Sequence, residues 1–154
     1  SRVGFEALQT LGRKEQWLIE EDELRIQVSQ VVGHGGCSVV QAGEFYRKSV
    51  AVKRHKQLPG RDSVKFAESI CNELRIMRHV RHPNIVLFYG AVFLDEGIAL
   101  VMERIKGIDL AQYRTKLQGW KRQSPHRREQ ICIAAGVCQA LIYMHSRQPC
   151  MVHG

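Results

Sequence analysis

Nowhere in these 154 residues does an apolar run approach the roughly 18 residues needed to cross a bilayer. The stretch from Ser1 to Leu11 also lacks the apolar centre of a secretory leader. A soluble, cytoplasmic protein without a membrane partner is therefore the expectation. Paired metal-ligand cysteines are missing too. The five cysteines (Cys37, Cys71, Cys132, Cys138, Cys150) are odd in number and repeat no short doublet, so neither a disulfide framework nor a zinc site is indicated. Cys150 and His153 stand three apart but have no second half, and no metal ligand is assigned. Internal repeats and low-complexity segments are likewise absent.

Aromatic platforms are missing from the basic patches. The net charge of +8 admits a nucleic-acid or acidic partner. However, the densest basic stretches, Arg75 to His82 and Arg114 to Arg128, carry no interleaved series of aromatics on which successive bases could stack, Trp120 standing alone in the second. They read more simply as solvated helix faces and loops. With 44% hydrophobic and 25% charged residues, the chain is long enough for one domain with a sizeable core.

What is present begins with alternation. Residues 1–23 read as a flank in which Trp17 packs on the domain. Leu24, Ile26 and Val28 alternate with Arg25, Gln27 and Ser29, which is strand periodicity with one buried face. This strand runs into Gly33-His34-Gly35-Gly36-Cys37-Ser38, and Val39-Val40-Gln41-Ala42 then reads as a second strand. The glycines thus join two strands. A dinucleotide fingerprint instead needs a helix opening at the last glycine, so that reading is excluded. A turn over 43–49 and a third strand over 50–54 follow.

After the breaker Leu58-Pro59-Gly60, the residues Phe66, Ile70, Leu74, Met77 and Val80 recur at helical spacing. Two strands are expected over 85–92 and 98–102, joined by a hairpin at Gly97. A polar link over 103–107 reads as a boundary between lobes. Asp109 can cap a short helix carrying Leu110, Tyr113 and Leu117. After a loop over 119–125, Ile131, Ala134, Cys138, Leu141 and His145 mark a long helix from Arg127 to Ser146. The chain then turns toward a strand over 149–152.

A glycine hairpin alone is a weak signal, because glycines also serve bulges and turns. Its functional reading is that a backbone without Cβ atoms can press its N–H groups onto a polyphosphate. Lys53, one strand over, supplies positive charge. The order Gly33 to Val40, Ala51-Val52-Lys53 and a helix bearing Glu73 resembles the small lobe of a protein kinase. Arg81-His82-Pro83-Asn84-Ile85-Val86-Leu87-Phe88-Tyr89-Gly90-Ala91-Val92 resembles the tyrosine-kinase-like group, Raf-like and mixed-lineage-type kinases included. Leu100-Val101-Met102-Glu103, Ala140 to Ser146 and Met151 to Gly154 resemble the hinge, the following helix and the approach to the catalytic loop.

That resemblance implies an α+β fold: a kinase N-lobe of five antiparallel strands and one helix, followed by the first helices of a helical C-lobe. The N-lobe would occupy 24–102, the hinge 103–107 and the C-lobe start 108–154. ATP would be held by Lys53 at the α and β phosphates, with Glu73 positioning Lys53. The backbone of Gly33, Gly35, Gly36 and Ser38 would cover the phosphates, while Val32, Val40 and Ala51 form an apolar roof. Met102 falls at the gatekeeper, the Glu103 carbonyl and Ile105 N–H at the adenine contacts, and Asp109 at the ribose. Protein hydroxyls, of the serine/threonine type, would be the substrate.

Three departures stand against this. The family's catalytic aspartate, metal-binding asparagine and Asp-Phe-Gly motif do not occur here, so Mg²⁺ is implied without ligands and these residues alone are expected not to transfer phosphate. Gly154 falls at the arginine of the family's His-Arg-Asp, leaving active kinase and pseudokinase scaffold both open. Ser38 replaces the loop's last glycine, and Cys37 stands where an aromatic usually caps it; this thiol is either inert or activated by nearby N–H dipoles and His34. Without more of the large lobe, the long helix is expected to leave its apolar face unpartnered. A basic nucleic-acid-binding domain is the weaker alternative.

Overall fold

Side-chain alternation along two central strands, Lys48–His55 (β3) and Gly97–Glu103 (β5), sets the architecture. In the computed structural model, which describes residues 2–36, 38–55, 63–95, 97–117 and 126–152, these strands pair antiparallel from Val50↔Glu103 to Arg54↔Ala99. They lie within a five-stranded sheet of order β1-β2-β3-β5-β4, where β1 is Leu24–Gly35, β2 Ser38–Phe45 and β4 Phe88–Leu94. All four strand pairings are antiparallel. Every second residue faces the same side, so Val50, Val52, Ala99 and Val101 enter one apolar cluster with Ile19 and Leu24. Ile98, Leu100 and Met102 enter another, with Ile70 and Leu74 of the helix Ser63–Met77 (α2).

The chain divides into two units, residues 1–81 with 86–104, and residues 82–85 with 105–154. The first contains the sheet. The second contains two helices, Leu110–Leu117 (α3) and Arg127–His145 (α4). Asp109 does cap α3, its Oδ1 accepting the Gln112 N–H at 2.7 Å. On α4 only Ala140 is buried, and Ile131, Val137 and Ile142 are exposed. The breaker at 58–60, the loop at 119–125, Cys37, His153, Gly154 and the side chains of Phe66 and Leu117 lie outside the described residues.

The flank is more ordered than its weak periodicity suggests. Arg2–Lys14 forms a helix, α1, which presents Leu8 and Leu11 to the cluster around Trp17. Trp17 is 5% exposed. Leu18 bridges to Ala91 in parallel, the Ala91 N–H donating to the Trp17 carbonyl at 2.8 Å and the Ile19 N–H to the Ala91 carbonyl at 2.9 Å. The flank thereby occupies the outer edge of β4, which would otherwise present unpaired backbone groups. Gly90 permits this approach, since a Cβ there would stand 2.4 Å from the Trp17 carbonyl oxygen.

Two strand boundaries differ from expectation. Residues 85–87 are not strand: the Ile85 N–H donates to the His82 carbonyl at 3.0 Å in the turn after Pro83. The chain end at 149–152 is also irregular, and the Met151 N–H returns to the Met144 carbonyl at 3.1 Å.

The turn expected over 43–49 is much tighter. Gly43 pairs with Val50 and Phe45 with Lys48, leaving Tyr46 and Arg47 as a two-residue hairpin turn. Gly43 is a packing glycine, because a Cβ there would meet Val52 at 2.9 Å. The left-handed backbone falls instead on Tyr46 and Arg47, with φ of 46° and 63°, values that favour Gly or Asn. Tyr46 gains a partner in exchange, its hydroxyl donating to the Glu23 carboxylate. Arg47→Gly should relieve roughly 1–2 kcal/mol of left-handed strain against roughly 0.5–1 kcal/mol of added chain entropy. A net stabilisation of about 0.5–1 kcal/mol is expected, read as a raised urea midpoint at unchanged slope.

Candidate functional site

Lys53 stands in the middle of the sheet, across from Val40 on β2 and Leu100 on β5. It shares with Ala51 and His55 the β3 face opposite Val50 and Val52, the face that α2 covers. Burial of Ile70 and Leu74 sets the rotation of α2, and the same rotation turns Glu73 toward the strand. Lys53 Nζ donates to Glu73 Oε1 at 2.5 Å, with the two side chains 25% and 28% exposed. His55 Nε2 lies 3.2 Å from Glu73 Oε2.

Burial acts to raise the Glu73 pKa, but hydrogen bonds from His55 and Lys53, together with their charge, outweigh it and hold the carboxyl below its ordinary 4.5. A folded-state pKa below the unfolded value contributes stability that is complete above about 4.5 and is lost as pH falls through the folded value. Glu73→Gln should therefore flatten the acid limb of stability below pH 4.5. Urea midpoints of the two proteins at pH 5 and pH 3 check this, and parallel curves would contradict it.

The glycine hairpin closes the β1–β2 ladder, with Gly33 opposite Val40, His34 opposite Val39 and Gly35 opposite Ser38. At Gly35 a Cβ would stand 2.5 Å from the Ser38 Oγ, so that hydroxyl would have to turn aside. Gly33 and Gly36 are different. A Cβ on Gly33 would make only ordinary contact with Val40, at 3.7 Å, and one on Gly36 would meet nothing within 4 Å. Neither has left-handed φ. Their missing side chains answer no internal need of the fold and leave the backbone open to close approach from outside.

A buried glutamine steadies this hairpin. Along β1 the register shifts between Gln27 and Val31, and Gln41, 4% exposed, donates its Nε2 to the Val28 carbonyl there at 2.7 Å. Arg54 donates in turn to the Gln41 Oε1 at 3.1 Å. The signal for this was a lone amide inside the apolar run Val39-Val40-Gln41-Ala42.

The remaining expected site residues divide between the units. Ala51 and Met102 are paired across β3 and β5, each 9% exposed. Val40 is half-buried and Val32 exposed. Glu103 is fixed twice to Leu87: its N–H donates to the Leu87 carbonyl at 2.8 Å, and its Oε1 accepts the Leu87 N–H at 2.9 Å. Ile105, exposed, and Asp109 belong to the second unit. Among the described residues no three His, Cys, Asp or Glu side chains gather to hold a metal ion. No helix among the described residues is long and apolar enough to cross a membrane.

A family model described as protein tyrosine and serine/threonine kinase matches residues 26–154. The chain is 30% identical over 131 residues to the kinase and exchange factor for Rac A of Dictyostelium discoideum, an alignment covering 85% of this chain and 9% of that protein. It is 30% identical over 129 residues to the serine/threonine-protein kinase CTR1 of Arabidopsis thaliana, covering 83% and 15% respectively. To the human mitogen-activated protein kinase kinase kinase 10 it is 29% identical over 124 residues, covering 80% and 12%. The chain thus spans a small part of the length of these curated relatives.

Proposed function

Because this chain belongs to the protein tyrosine and serine/threonine kinase family, we propose that it supplies the ATP-binding portion of a protein kinase of the serine/threonine type. The observation that carries this reading is the 2.5 Å Lys53–Glu73 pair on the sheet that continues into a glycine hairpin open at Gly33 and Gly36. A lysine held by a carboxylate stays charged and in one rotamer, which suits it to the α and β phosphates. The N–H groups around the open glycines suit the phosphates themselves.

Residues 24–102 act as the small lobe, 103–107 as the hinge and 108–154 as the start of the large lobe. Within the first unit, Val32, Val40, Ala51, Met102 and the Glu103 carbonyl supply adenine contacts; by the resemblance, the family's other hinge contact falls on the Ile105 N–H and its ribose position on Asp109. The whole protein transfers the ATP γ-phosphate to protein hydroxyls; these 154 residues bind nucleotide without turning it over. Gly154, at the position of the family's His-Arg-Asp arginine, favours a second reading as a pseudokinase scaffold that binds nucleotide without phosphotransfer. Calorimetric titration with MgATP is expected to show one saturable site that heparin does not compete for. Competition by heparin at equal charge concentration would instead point to nonspecific polyanion binding.

A further inference from the structure

Lys53 engages only one oxygen of the Glu73 carboxylate. The other, Oε2, lies 3.2 Å from His55 Nε2. A carboxylate held at one oxygen can still swivel about its last side-chain torsion, which is broad and weakly restrained. Held at both, it is fixed.

His55 is well placed to supply the second hold. It follows Lys53 by two positions on β3, so both donors project from one face of a strand whose register is set on each side, by Ser38↔His55 on β2 and by Arg54↔Ala99 on β5. Its side chain is 11% exposed. We infer that His55 is a positioning residue for the nucleotide lysine: it clamps the free oxygen of Glu73 and so fixes the carboxylate that aims Lys53. This rests on the ATP-binding reading above.

The test is MgATP affinity of the wild type, His55→Leu and His55→Gln, with thermal midpoints recorded for each. Glutamine keeps a donor that can reach the Glu73 carboxylate; leucine removes the donor at similar bulk. His55→Leu is expected to weaken binding roughly five- to tenfold, because a carboxylate held at one oxygen aims Lys53 less well. His55→Gln is expected to restore most of the wild-type affinity. If leucine fails to fold, His55→Asn, whose shorter amide falls short of Glu73, takes its place. Affinity equal to the wild type in the folded variant without the donor would overturn the clamp and leave the ATP site standing. A wild type that binds no ATP would overturn both.

Discussion

Replacing Lys53 with methionine is expected to weaken MgATP binding by roughly 30- to 100-fold, the loss of about 2–3 kcal/mol of charge-assisted hydrogen bonding to phosphate. Methionine keeps the length and apolar stem of lysine, so the β3 ladder and the packing on α2 should persist. Glu73 loses one partner, but it is 28% exposed and keeps His55 at 3.2 Å. The thermal midpoint should therefore move by no more than about 5 °C. The separation of these two readouts is what matters: a large loss of affinity in a folded protein assigns Lys53 to the ligand. A large drop in stability with unchanged affinity would assign it to structure alone.

The second large effect concerns the flank. Trp17→Ala is expected to cost about 3–5 kcal/mol, the range for deleting a buried aromatic side chain, out of a total that is on the order of 5–15 kcal/mol for a domain. The family match begins at residue 26, which would make residues 2–19 a dispensable leader. The packing says otherwise. Trp17 lies in the same apolar cluster as Ile70 and Leu74 of α2, and its indole N–H donates to Glu15 Oε2 at 3.0 Å. That same oxygen accepts from Arg78, just past the end of α2. The flank therefore braces the helix that carries Glu73. Urea denaturation of Trp17→Ala should show a much lower midpoint, together with weaker ATP binding as α2 loosens. A loss under about 1 kcal/mol would mean that the flank only decorates the domain.

Much of the sheet was legible because β5 and β3 alternate so regularly. Ile98, Leu100 and Met102 could only face one cluster if Ala99 and Val101 faced the other; helix residues close the first cluster, and Ile19 and Leu24 join the second. Glu73 was legible for a related reason: its helix has Ile70 and Leu74 at helical spacing, which fixes the face on which the carboxylate emerges.

What escaped the sequence was set by contacts distant in the chain. Gly43 looked like a turn residue and serves packing against Val52, so the actual turn fell on Tyr46 and Arg47, neither of which has a turn signature. The α1 helix was obscured because its apolar face is short and its burial depends on Trp17 and the β4 edge. His55 was overlooked because a histidine two positions beyond a strand lysine carries no motif; only the distance to Glu73 Oε2 gives it a role.

The central claim is that ATP sits under the glycine hairpin against Lys53, and an amide chemical-shift titration with MgATP tests it most directly. Gly33, Gly35 and Gly36 are expected to give well-dispersed glycine signals that shift in saturable fashion, together with Val40, Ala51, Lys53 and Met102. The Lys53→Met protein should show these shifts only at far higher nucleotide concentration. Shifts confined to the basic stretches Arg114–Lys116 and Arg127–Arg128, rising without saturation, would contradict it and leave only nonspecific attraction between a +8 chain and a polyanion.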